Sequence, residues 1–143
     1  MDEDYSAKIP RILRFDTAGN LAAGFLVSTQ RADWLPFPVK RVFWVHHVPA
    51  GVQRGLHAGK TMAEVLVAVQ GRVEVHTESR AGKHHFILNQ PDQGLYVPEQ
   101  CWIELSFSAD ALLLCLASTD YDEQDYISDY SAFRQAYLSD PNA

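Results

Sequence analysis

The sequence predicts an all-β domain, a sandwich or barrel of short strands finished by one helical tail. From residue 12 to about 118, short segments alternate apolar and polar side chains and are separated by Gly, Pro, Asn and Asp, as half-buried strands joined by turns would be. After the acidic stretch Asp120 to Asp129 the period changes, and Tyr130, Phe133 and Tyr137 fall at helical spacing. The chain has 143 residues, 47% of them apolar, which is enough for one core without disulfide or metal staples. A single domain over residues 1–143 is therefore expected, with its core at about 12–118 and the helical tail at about 122–138. The first ten residues are expected to fray.

In Arg41 to His47, Val42, Trp44 and His46 point to one side and Phe43, Val45 and His47 to the other, so the adjacent histidines should face apart. Glu64 to Val69, a Gln70-Gly71 turn and Arg72 to His76 read as a hairpin, with Val73 and Val75 toward the core. His76 then faces solvent beside Arg72 and Glu74. Trp102 to Phe107 sets Ile103, Leu105 and Phe107 on an apolar face and Trp102, Glu104 and Ser106 on the other. Ala111 to Ala117 is apolar at every position, as a strand covered on both faces would be, and belongs in mid-sheet. Ser128 or Asp129 can cap the tail helix, and Pro141 lies beyond its end.

The net charge is −6 and no basic run is longer than the Lys40-Arg41 pair, so no nucleic-acid partner is expected. No apolar stretch approaches the ~20 residues a membrane helix needs. Cys101 and Cys115 are isolated thiols without zinc spacing, and Met1-Asp2-Glu3-Asp4 lacks the basic and apolar regions of a signal peptide. A soluble, cytoplasmic protein is expected.

Two stretches carry the chemistry. Gly51, His57, Glu64 and Gly71 fit the pattern G-x5-H-x-H-x4-E-x6-G at every spacing, with Gly59 where the second histidine belongs. The pattern P-x-G-x2-H falls on Pro98-Glu99-Gln100-Cys101-Trp102-Ile103, with Ile103 in place of the last histidine. These are the two cupin motifs, and the chain resembles a cupin barrel, the double-stranded β-helix or jelly roll. Of the four potential metal ligands, His57 and Glu64 remain. Catalytic zinc sites generally keep three protein ligands and non-haem iron sites two His and one carboxylate, so neither a metal nor another cofactor is expected.

Four ordered stretches extend the likeness: Lys40-Arg41-Val42-Phe43, Arg54-Gly55-Leu56-His57-Ala58, Gly94-Leu95-Tyr96-Val97-Pro98, and Leu116 through Ile127. Over about residues 12–138 the chain resembles the sugar 3,4-ketoisomerases, small WxcM-like cupins that act on dTDP-4-keto-6-deoxyhexoses. The resemblance implies a jelly roll, a homodimer exchanging N-terminal strands, a dTDP-linked sugar in the barrel mouth and no metal. It also favours a diphosphate role for Arg41, Arg54 or both, and Lys60, Tyr96 and Trp102 are further candidate ligand-binding residues. In the family the first motif reads R-G-x-H-A-H-K, and a tryptophan of the later strand is followed by a histidine. Here Gly59 and Ile103 replace those histidines, Glu64 replaces the usual glutamine, Ala18 the arginine before Gly19, and Phe43-Trp44 a tyrosine pair.

Moving a ketone from carbon 4 to carbon 3 requires a base for the proton on carbon 3 and an acid for carbon 4, through an enediol. A single histidine near neutral pKa can do both, and His57 is that residue, with Glu64 expected to orient the imidazole and hold up its pKa. Each lost polar group that stabilised the enolate oxygen is worth roughly 10²–10³ in rate. Three functions therefore compete. The first is a ketoisomerase with His57 as sole acid/base. The second is a catalytically inactive cupin that binds a nucleotide sugar, and the third is a different reaction in the same pocket, such as an epimerisation or a lyase step using Glu64. His46, His47, His76, His84 and His85 show no ligand spacing and are assigned no role.

Overall fold

The computed structural model describes residues 8–30 and 35–139; most of the segment expected to fray, and Pro141, lie outside the described residues. Its strands are β1 (Arg11–Arg14), β2 (Asp16–Asn20), β3 (Gly24–Ser28), β4 (Arg41–His46), β5 (Gln53–Gly59), β6 (Glu64–Gln70), β7 (Val73–Ser79), β8 (Gly82–Leu88), β9 (Gln93–Val97), β10 (Trp102–Phe107), β11 (Leu112–Ala117) and β12 (Tyr126–Ile127). Two five-stranded sheets, in the orders β1-β9-β6-β11-β4 and β12-β5-β10-β7-β8, pack face to face as a jelly-roll sandwich, while β2 and β3 pair with each other in a separate ribbon.

Between the sheets, Leu66, Val73, Val75, Leu95, Ile103, Leu105, Leu113 and Cys115 form the main core. Alternation explains their selection, since the neighbours Val65, Val67 and Tyr96 belong to a second apolar layer outside the first sheet. That layer is completed by Phe15 and by Leu35 and Phe37 packed against it. β11 lies between β6 and β4, as its uninterrupted apolar run predicts. Outside the second sheet, Trp102 and Ala58 are covered by Phe133 of α1 (Tyr130–Phe133). Asp129 is the cap of this helix, accepting a hydrogen bond from Ala132 N at 3.0 Å. The helix continues as a π-helical turn, Arg134–Leu138. Among the described residues no helix is long and apolar enough to cross a membrane.

Two sequence expectations are corrected. β6 and β7 do not form a hairpin: β6 pairs with β9 and β11, and β7 with β8 and β10, so Gln70-Gly71-Arg72 carries the chain from one sheet to the other. Period-two alternation is the same for strands that pair side by side and for strands that face each other across a core. Gly71 is needed at this crossing, with φ of +73° and Ala111 Cα only 2.6 Å from where a Cβ would stand. The actual hairpin joins β7 to β8 through Arg80-Ala81. The second correction concerns His46 and His47. His47 adopts φ of +57° and leaves the strand, so its ring turns back to lie edge-on to His46, with centroids 4.7 Å apart. His76 is exposed as expected, stacked on His85 at 4.4 Å.

Candidate active site

A bulge in β5 sets up the site. Opposite the step from Ile103 to Glu104 in β10, β5 inserts an extra residue, so that His57 faces Ile103 and Gly55 faces Glu104 with Leu56 between them. Gly55 and Leu56 both lie in the left-handed region, at φ of +77° and +56°. For a leucine such a conformation costs on the order of 1–3 kcal/mol, strain of the kind that collects at functional sites. It turns Leu56 outward and His57 into the sandwich. His57 Nδ1 lies 2.9 Å from the Gly55 carbonyl oxygen. A carbonyl only accepts, so Nδ1 carries the proton and the neutral ring presents Nε2 as a bare acceptor. Burial lowers the pKa of His57 against the Gly55 carbonyl, and the nearby Arg54 charge lowers it further.

His57 opens on a cavity of about 250 Å³ walled by Phe43, Val45, Arg54, Glu64, Ile103, Tyr121 and Tyr126, among others. Glu64, at the start of β6, is 4% exposed, and burial pushes its carboxyl up to about 7 despite the opposing pull of Arg41. The expectation that Glu64 orients the imidazole and holds up its pKa is not met. The ring is oriented by its own backbone, and its pKa falls.

Tyr126 enters the site from β12, which adds to the edge of β5 with Tyr126 opposite Gly59. Its ring stands edge-on to His57 with centroids 5.0 Å apart. Arg41 Nη2 donates to the Tyr126 hydroxyl at 2.9 Å and approaches Met62 Sδ at 3.0 Å. The preceding residue, Asp125, ties the 60s turn down by accepting from Thr61 N, Thr61 Oγ1 and Met62 N at 3.0, 2.7 and 3.0 Å. From the sequence Tyr126 and Met62 receive no role; the signal available was the place of Tyr126 within the family-like stretch Leu116 to Ile127.

The two replaced histidine positions are filled by packing. A Cβ on Gly59 would stand 2.9 Å from the Met62 carbonyl oxygen. Ile103 is 1% exposed and faces His57 across the ladder. Phe43 lines the cavity and lies under the Arg41 guanidinium at 4.9 Å. Arg54 lines the cavity from an exposed position, whereas Arg41 stands behind Tyr126.

Lys60, Tyr96, Trp102 and Ala18 are not brought to this cavity. Lys60 is exposed, its backbone N–H bonded to the Asp125 carbonyl. Tyr96 and Trp102 alternate with inward-facing neighbours and are buried on the outer sides of their sheets, Tyr96 under Arg11 and Trp102 under Tyr130 and Phe133. Ala18 lies on the β2–β3 ribbon opposite Leu26. A roomier hollow of about 650 Å³ beside Trp44, His46 and Leu114 lies outside the first sheet and shares no wall residue with the His57 cavity. Among the described residues no three His, Cys, Asp or Glu side chains converge as a metal site would require.

A family model described as WxcM-like, C-terminal (FdtA) matches residues 7–137. The chain belongs to this family. It is 35% identical over 113 residues to the TDP-4-oxo-6-deoxy-α-D-glucose-3,4-oxoisomerase of Aneurinibacillus thermoaerophilus, covering 78% of this chain and 81% of that one. Among solved structures, a 3,4-ketoisomerase from Helicobacter canadensis superposes with a TM-score of 0.84 at 31% identity, over 91% of this chain and 98% of that one. A sugar 3,4-ketoisomerase from Thermoanaerobacterium thermosaccharolyticum in complex with TDP also gives 0.84, at 28% identity, over 90% and 94%. In this WxcM-like protein His57 stands on the bulged strand, and Gly59 and Ile103 are closely packed.

Proposed function

We propose that this protein is a sugar-nucleotide 3,4-ketoisomerase that moves the ketone of a TDP-linked 4-keto-6-deoxyhexose from carbon 4 to carbon 3. The observation that carries this reading is His57: neutral, fixed in one tautomer by Gly55, with Nε2 free at the cavity. A base of this kind can remove the proton from carbon 3 and return it to carbon 4 on the same face of the sugar. At about 250 Å³ the cavity falls below the ~300–1,000 Å³ of pockets that enclose whole drug-sized ligands. It suits the sugar ring alone, leaving the nucleotide outside, where Arg54 at the mouth can meet the diphosphate with its planar fork. Glu64 keeps its proton to about pH 7 and so matches in shape and neutrality the glutamine of the family pattern. The working assembly is a homodimer that exchanges N-terminal strands.

Proton NMR of TDP-4-keto-6-deoxyglucose with the protein in D2O tests the reading. Deuterium entry at carbon 3 and appearance of the 3-keto isomer are expected, both abolished in His57→Asn. Turnover that survives in His57→Asn refutes the assignment. Line broadening without exchange identifies instead a cupin that binds the nucleotide sugar without reacting, the reading favoured by the packing at Gly59 and Ile103.

A further inference from the structure

Isomerisation moves two protons, and His57 accounts for one. The C3–H bond breaks and a C4–H bond forms, which Nε2 can serve in turn. The O3–H bond also breaks and an O4–H bond forms as the enediol changes which oxygen is the carbonyl. That second transfer needs a group able to donate to O4 while accepting from O3. A tyrosine hydroxyl does both, whereas Arg only donates. Of the two tyrosines lining the cavity, Tyr121 is 67% exposed, and Tyr126 is the one whose hydroxyl is held, fixed by Arg41 Nη2 at 2.9 Å with its ring against His57. Because Arg41 fills one acceptor position of that oxygen, the hydroxyl proton is directed elsewhere. Its alternative partner, the Met62 thioether at 3.7 Å, is a weak acceptor. Phe43 and Ile103 on the same wall have no proton to move. The protonated carboxyl of Glu64, which could also give and take one, is the rival relay: it requires Glu64→Gln to lose turnover at pH 6, whereas a Tyr126 relay leaves that variant active.

We infer that Tyr126 is a second catalytic residue: its hydroxyl gives a proton to O4 and recovers one from O3, while Arg41 acts as a positioning residue that holds the phenol in place. This assignment rests on the ketoisomerase reading. Tyr126→Phe keeps the ring that packs on His57 and Tyr121 and removes only the hydroxyl.

The test measures two rates on TDP-4-keto-6-deoxyglucose in D2O, deuterium entry at carbon 3 and formation of the 3-keto product. In Tyr126→Phe, product formation should fall about 10²-fold or more, as for loss of a single donor at a developing oxyanion, and should fall further than carbon-3 exchange. The ratio of exchange to isomerisation then rises at least several-fold. Arg41→Lys should shift the ratio in the same direction by a smaller factor. Tyr130→Phe, whose hydroxyl bonds Glu78 outside the second sheet, should leave both rates unchanged. Equal losses of both rates in Tyr126→Phe, or no loss, overturn the assignment while leaving the ketoisomerase intact. Wild-type protein that neither exchanges nor isomerises overturns the ketoisomerase reading itself, and this role with it.

Discussion

At Glu64, burial outweighs the attraction of Arg41, and the carboxyl keeps its proton to about pH 7. An unfolded chain gives up that proton near 4.5, so above that pH the unfolded state gains free energy that the folded state does not. This contribution to stability is complete below about pH 4.5, declines as pH rises, and is lost once the folded carboxyl ionises near 7. A shift of this size corresponds to roughly 3 kcal/mol. Glu64→Gln should therefore match wild type in stability at pH 4 and exceed it by up to about 3 kcal/mol at pH 8, read from urea melts at the two pH values. An equal difference at both would show that Glu64 is not the titrating group. The same variant should retain turnover at pH 6 and flatten the decline above pH 7 expected as the buried carboxylate forms. Motif spacing alone located Glu64. Its protonation state was not legible, because that depends on burial between two sheets and on an arginine from β4. Cys115, in the same wall, is likewise held neutral by burial, its pKa well above the ordinary thiol value.

β5 shows what a motif can and cannot convey. The pattern singles out His57, which lines the cavity, and marks Gly59 as a replaced histidine without saying what surrounds it. The strand instead brings the Met62 carbonyl within 2.9 Å of the missing Cβ, and Gln100 N donates to the Gly59 carbonyl at 2.7 Å. Restoring the family residue should thus fail. Gly59→Ala is expected to cost about 1–3 kcal/mol from overpacking, and Gly59→His should lower both stability and turnover. Thermal melts and the NMR assay check this; a stable and more active Gly59→His would mean that the 60s turn yields readily. Other elements were misjudged for a related reason. Alternation along β9 and β10 tells which residues share a side but not which side holds a ligand when both are buried. Tyr96 and Trp102 accordingly went to outer layers that only the tertiary fold defines. The supposed β6–β7 hairpin failed because pairing partners are set by the crossover at Gly71, not by the strands' own pattern.

On the scale of the whole molecule, the all-β architecture and its helical tail were legible because strands such as β4, β7 and β10 carry a period of two and the tail a helical one, whereas assembly leaves no such mark. Among the described residues the β2–β3 ribbon pairs with neither sheet, and a two-stranded hairpin is marginal by itself in water. It nevertheless exposes Leu21, Phe25 and Leu26, at 94%, 60% and 64%. Among the described residues β4 is the last strand of its sheet, with Val42 and Trp44 exposed. Apolar surface beside an unpaired edge favours association, and a second copy exchanging ribbons would cover both. Exchange would also account for Ala18, which the family pattern ties to the ligand although it lies on the ribbon, outside its own cavity. Sedimentation should therefore give a dimer. Leu26→Asp, which sets a charge on the apolar ribbon, should yield monomer with faster proteolysis within residues 16–28 and reduced turnover. Wild-type protein sedimenting as a monomer at micromolar concentration would remove strand exchange and require the ribbon to be stabilised within its own protomer.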